Sequence, residues 1–173
     1  ASAVYNSVAV GYSAGNKMRH ESVAIGHEAA LHAYEIGFIG IGYQVGSGLG
    51  GYSTIIGYQA GRTLGEDYAV ALGYQAGYNG AGESAVWIGQ GAGHSSTGST
   101  KSIGIGKNAG KSSSGTECIY IGESAGLSNS TSNLLFIGNG SPAASDTLIK
   151  GDMDSKRVAI GVADVTLSDT LFV

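Results

Sequence analysis

"SVAVGYSAG" at 7–15 and "SVAIGHEAA" at 22–30 are two copies of one unit. In each, two aliphatic residues flank a third residue and run into a glycine. The unit returns as "FIGIGYQVG" (38–46), "TIIGYQAG" (54–61), "VALGYQAG" (70–77), "VWIGQGAG" (86–93), "IGIGKNAG" (103–110), "IYIGESAG" (119–126) and "LFIGNG" (135–140). The key glycines are Gly11, Gly26, Gly42, Gly57, Gly73, Gly89, Gly106, Gly122 and Gly138, spaced 15, 16, 15, 16, 16, 17, 16 and 16 residues apart. A short fixed period is the mark of a solenoid, whose repeats each stack on the last. The expected fold is therefore all-β, a parallel β-roll of about nine coils of 15–17 residues over 1–138. At about 4.8 Å per rung it makes a rod roughly 40 Å long.

Two ladders follow from the register. One place before each key glycine stand Val10, Ile25, Ile41, Ile56, Leu72, Ile88, Ile105, Ile121 and Ile137; three places before stand Val8, Val23, Ile39, Thr54, Val70, Val86, Ile103, Ile119 and Leu135. Strand side chains alternate between faces, so both rows share one face. This face is assigned to the coil interior. The opposite face carries Ala9, Ala24, Gly40, Ile55, Ala71, Trp87, Gly104, Tyr120 and Phe136, too apolar to be solvated, which points to a strand buried on both sides. On this assignment Trp87, Tyr120, Phe136 and Ile55 are expected against a neighbouring chain. The alanine three places after the key glycine suggests a second short strand where the roll is narrow.

Composition narrows function. The chain has 31 Gly and one Pro, 13% charged residues and a net charge of -4. Without a basic patch there is nothing to displace counterions from nucleic acid. The single cysteine, Cys118, excludes an internal disulfide framework and reads as a small buried residue. No apolar run reaches the roughly 20 residues of a membrane span, so no membrane insertion is expected. The chain opens inside a repeat, without a signal peptide, and stops at Phe172–Val173, as a piece of a longer protein does.

Residues 7–138 resemble the head of YadA-like trimeric autotransporter adhesins, "SVAVG" (7–11) and "SVAIG" (22–26) most closely. The resemblance implies a left-handed parallel β-roll, three chains around a threefold axis, and a role in attachment. The near-16-residue period and the "GYQAG" units depart from that pattern and look more like bacteriophage tail fibres and related bacterial surface fibres. "DTLIKGDMDSKRVAIG" (146–161) resembles connectors that precede a self-removing chaperone in such fibres. Residues 139–173, which break the period and carry Pro142, read as a cap or connector leading to a shaft or chaperone.

Motifs that suggest an enzyme fit the repeat better. "GYSAG" (11–15) and "GESAG" (122–126) satisfy the G-x-S-x-G pattern, yet Ser13 and Ser124 occupy a slot filled elsewhere by Glu28, Gln44, Gln59 and Gln75, and no histidine follows Ser124. "GIGKNAGKSSSG" (104–115) lacks the glycine that a phosphate loop needs where Ile105 stands. "GDMDSK" (151–156) has no bidentate glutamate to complete a calcium loop and reads as a polar turn. His20, His27 and His32 read as solvated loop residues. No enzyme activity, metal or cofactor is expected.

The position after the key glycine reads Tyr12, His27, Tyr43, Tyr58 and Tyr74, then Gln90, Lys107, Glu123 and Asn139, an aromatic stripe giving way to a polar one. Such a ladder serves cross-strand packing, and it offers flat faces and hydroxyls for contact. The chemically varied loops lie near the N-terminus, in "NKMRHE" (16–21) and "LHAYE" (31–35). Recognition is expected through Lys17, Arg19, His20, His32 and Tyr34, with Tyr43 and Tyr58. The function expected is that of a trimeric extracellular or virion tail-fibre head that attaches to a glycan or protein on a host or prey cell. A structural spacer with binding carried elsewhere is the alternative; ice binding would need a regular threonine ladder that the chain lacks.

Overall fold

Each unit's apolar triplet is short, rich in β-branched residues and ended by glycine, and each forms one short strand, three residues long in the first eight units and five in the ninth. The computed structural model describes residues 6–16, 18–31, 36–46, 51–62, 67–80, 82–140 and 147–161. Its strands are β1 (Val8–Val10), β2 (Val23–Ile25), β3 (Ile39–Ile41), β4 (Thr54–Ile56), β5 (Val70–Leu72), β6 (Val86–Ile88), β7 (Ile103–Ile105), β8 (Ile119–Ile121), β9 (Leu134–Gly138), β10 (Thr147–Asp152) and β11 (Arg157–Ile160). They lie in one sheet in chain order. β1 to β9 pair in parallel and in register, Val8 on Val23 and so on to Ile119 on Leu135. The molecule is a parallel β-solenoid, and no described residue is helical.

The corners come from left-handed backbone repeated coil after coil. The key glycines have φ between 124° and 142°. A Cβ on any of them from Gly11 to Gly122 would collide with the carbonyl of the next coil's key glycine, so both conformation and space demand glycine. Two places later the non-glycine residues, Ser13 to Ser124, hold φ of 50–59°, and four places later φ is 54–69°. This alternation turns the chain where a second strand was expected; the alanines there are buried from Ala29 to Ala125 and Ala14 partly so, but in a turn. Coil-to-coil bonding continues through it, Gly61 N–H donating to Ala76 C=O at 2.8 Å and Gly77 N–H to Ala92 C=O at 2.8 Å.

The two strand faces are the reverse of the sequence assignment. Trp87, Tyr120 and Ile55 are wholly buried and Phe136 nearly so, all within one chain's own coil. A side chain enclosed by its own coil has no surface left for a neighbour, so these four are core residues. The aliphatic ladders face outward: Val10 is 56% exposed, Ile39 39%, Ile56 39% and Ile105 40%. The reason is width. A 16-residue coil leaves room inside for Ala24, Gly40, Ala71 and Gly104 with the alanines of the turn, and a large side chain enters only where glycine makes space. The Trp87 indole occupies the volume that a Cβ would need at Gly93, Gly104 and Gly110; the Phe38 ring does the same at Gly40, and Tyr120 at Gly126.

Buried serines complete the interior. Ser22, Ser53 and Ser102 each donate Oγ–H to a carbonyl two residues back and accept the N–H of the equivalent residue one coil on, Phe38, Ala69 and Cys118. Both hydroxyl roles are thereby satisfied without solvent. Cys118 occupies the same slot, its thiol buried and directed at the Thr116 carbonyl. At the other end, β10 runs antiparallel to β9 and β11 antiparallel to β10. The Lys150 ammonium lies 5.7 Å from the Phe136 ring centroid, closing over the last core aromatic.

The Trp87 indole N–H is, among the described residues, the one buried side-chain polar atom without a hydrogen-bond partner. Trp87→Ala is expected to lower the unfolding free energy by about 3–5 kcal/mol in chemical denaturation while leaving the oligomeric mass unchanged. Trp87→Phe should lose less, since it removes the unpaired donor along with the extra ring. A change of mass in the alanine variant at full stability would contradict the enclosed position.

Candidate functional site

In-register stacking turns every sequence position into a line of side chains along the rod. The position after the key glycine forms a continuous aromatic ladder: ring centroids are 5.0 Å apart for Tyr12–His27, 5.1 Å for His27–Tyr43, 5.0 Å for Tyr43–Tyr58 and 5.3 Å for Tyr58–Tyr74. Interplanar angles fall from 23° to 5° along the series. All are solvent-exposed, Tyr12 most at 71% and Tyr43 least at 38%. Each inner ring has a neighbour against both faces, so ring edges and hydroxyls are what the ladder turns outward.

Beside it runs an amide ladder. Gln44 Nε2 donates to Glu28 Oε2 at 2.7 Å, Gln59 Nε2 to Gln44 Oε1 at 3.0 Å and Gln75 Nε2 to Gln59 Oε1 at 3.1 Å. The His27 ring lies 3.9 Å from the Glu28 carboxylate. At Gly91 the amide series stops, and the aromatic position passes through Gln90 to a Lys107–Glu123 ion pair of 2.7 Å.

Of the residues singled out from sequence, the structure brings Tyr43 and Tyr58 together in the ladder. Arg19 and His20 lie ahead of β2, before the strand, whereas the ladder follows it; Arg19 is exposed and His20 half-buried. Lys17, His32 and Tyr34 lie outside the described residues. Ser13 and Ser124 sit at the same left-handed corner as the glutamines, with a turn and no helix after them. The "GDMDSK" segment is the turn between β10 and β11, where the Asp152 carboxylate accepts from the N–H of Asp154 and Ser155 and from Ser155 Oγ; these bonds, the Ser155 hydroxyl first, hold its pKa below the usual carboxylate range. Among the described residues no three His, Cys, Asp or Glu side chains gather as a metal site, and no helix is long and apolar enough to cross a membrane.

Two further stacks were not singled out from sequence. Tyr52 and Tyr68 stack at 5.6 Å, five places before their key glycines. Tyr78 stacks on His94 at 5.0 Å, five places after, and Arg62 Nη1 donates to the Tyr78 hydroxyl at 3.2 Å. Counting from the key glycine at these offsets would have found both. No protein-family model matches the chain, and neither the curated proteins nor the solved structures give a significant match.

Burial, then the Lys111 charge, lowers the pKa of His94 below 6.5. Between the lowered and the ordinary value the unfolded chain binds the extra proton, so stability is complete above about 6.5 and falls as pH drops through that window. His94→Gln should flatten this part of the melting-temperature profile. A NMR titration that places the His94 midpoint above 6.5 would reverse the expected sign.

Proposed function

We propose that the chain is the non-enzymatic, homotrimeric head of an extracellular fibre, bacterial or from a virion tail, that attaches to a cell surface. The observation that carries this is the outward aliphatic face. Val8, Val10, Ile25, Ile39, Ile56, Ile105 and Ile121 are each more than a third exposed, in two rows that cross all nine parallel strands. At about 4.8 Å per rung and two side chains across, the face covers on the order of 400 Å², the size at which an apolar patch marks an interaction surface. The coil has no interior need of these residues, and a partner gives them one. Three copies that close around an axis bury the rows together, and the threefold count comes from the resemblance to adhesin heads. A rigid trimer also presents each surface loop three times, which raises avidity for a repetitive target.

The spacer reading draws support from the ladders themselves, because stacked rings and bonded amides stabilise a rod without any ligand.

Light scattering on the purified protein is expected to give three times the 17.3 kDa chain mass. Ile56→Lys with Ile105→Lys should yield monomers or aggregates, since charges on the shared face cannot be desolvated unpaired. A mass of two chains would replace the trimer with a paired face. Fluorescently labelled trimer should bind whole cells, less so with Arg19, His32 and Tyr34 replaced by Ala; no binding to any cell panel favours the spacer.

A further inference from the structure

We propose that the ladder from Tyr12 to Tyr74, with Gln44, Gln59 and Gln75 beside it, binds a neutral, extended β-1,4-linked polysaccharide laid along the rod, one sugar to each coil. This rests on the attachment reading and specifies its ligand.

The geometry selects the polymer by its step. Rings recur every 5.0–5.3 Å along the ladder. In a fully extended β-1,4-linked glycan successive pyranose rings recur at close to the length of one sugar, which is nearly the same step, so each coil meets one sugar, alternate sugars turning opposite edges to the strip. An extended peptide advances about 3.3 Å per residue and loses register within two coils. α-1,4-linked chains curl away from a straight line.

The chemistry on offer suits sugar hydroxyls. Each inner ring has both faces occupied, which removes the platform that a nucleic-acid base would stack on. What remains is the phenol hydroxyls of Tyr12, Tyr43, Tyr58 and Tyr74, each able to donate and accept, with the edge of the His27 ring between the first two. Gln44 and Gln59 each spend one amide hydrogen and one oxygen lone pair within the ladder, leaving one donor and one acceptor site per coil. Within the strip the Glu28 carboxylate is taken up by the Gln44 amide at 2.7 Å and the His27 ring at 3.9 Å, and the strip carries no lysine or arginine to hold a sulfated or uronic polymer.

The strip has an end, and the end sets a length. It spans the five stacked rings from Tyr12 to Tyr74, beyond which the amide partner is Gly91. Affinity should therefore grow with chain length up to about five sugars and then level off, as each added sugar contributes hydrogen bonds of the ordinary net size.

Calorimetry with cello- and chito-oligosaccharides of increasing length, and with a linear α-1,4 glucan oligosaccharide as control, tests this on the intact protein. The expected result is length-dependent binding to a β-1,4 series, none to the α-linked control, and a loss of roughly tenfold or more in the Tyr43→Phe, Tyr58→Phe variant, which keeps the stacked rings and removes two hydroxyls. Circular dichroism and mass by light scattering should be unchanged in that variant. The proposal is overturned by no binding to either β-1,4 series, by equal binding of the α-linked control, or by binding that the double variant leaves intact. Tyrosines that resist nitration in the assembled protein would also overturn it, by showing the ladder to be covered by another copy. Whole cells bound equally by wild type and double variant would remove this strip and leave attachment standing.

Discussion

The structure depends on one close approach: the backbone of each key glycine against the carbonyl of the key glycine one coil on. From Gly11 to Gly122 the space that a Cβ would fill is already taken by that carbonyl. The contact sets the spacing between coils and fixes their register, because a shift by one residue brings a side chain to a place that accepts none. Every other regularity follows. With coils locked in register, a choice of residue at one position is a choice about a line of neighbours.

That constraint explains which side chains repeat and which alternate. Aromatic rings and primary amides stack well on their own kind, and the chain repeats them: Tyr43, Tyr58 and Tyr74 in one line, Gln44, Gln59 and Gln75 in the next. Like charges a coil apart repel, and in two of the ladders that carry charge the sign changes between neighbours. Lys101 meets Glu117 at 3.3 Å, and Lys107 meets Glu123 at 2.7 Å. Exposed pairs of this kind add little stability, so their value here lies in avoiding the repulsive alternative.

The period and the nine parallel strands in their order were legible in the sequence, because the key glycines carry them, whereas the second strand expected at the turn alanines and the closing β10–β11 hairpin were not. The side of the strand that faces inward was not. Alternation with period two separates two faces without naming either, and the uniform aliphatic rows look like a core by hydrophobicity alone. The information lay in the other row, where residues as different as Gly104 and Trp87 share one line. Such variation makes sense only in a closed space that must be filled jointly, a large ring against neighbouring glycines. Cys118 shows the same logic: its slot belongs to buried serines with a fixed pair of hydrogen bonds, a role that composition cannot suggest. The ladder of Tyr43 and Tyr58 was visible as a stripe, but that its rings cover one another's faces follows only from the 5.0 Å stacking.

Loop length varies although register does not, and the reason separates two kinds of surface. The 17-residue coil from Gly89 to Gly106 holds its extra residue near Gly98, which has φ of 82° and open space where its Cβ would be. Thr100 N–H closes a tight turn on the Gly98 carbonyl at 2.8 Å, and by Lys101 the chain is back in the common frame, its N–H donating to Glu83 C=O at 2.8 Å. Insertions are thus absorbed between two left-handed corners and never reach the strand. Loops such as the one carrying Arg19 and His20 can change in length and chemistry at little structural cost. The ladders cannot, since each member is held by the coil above and below. A rod built this way keeps its periodic strips constant and leaves its loops to vary.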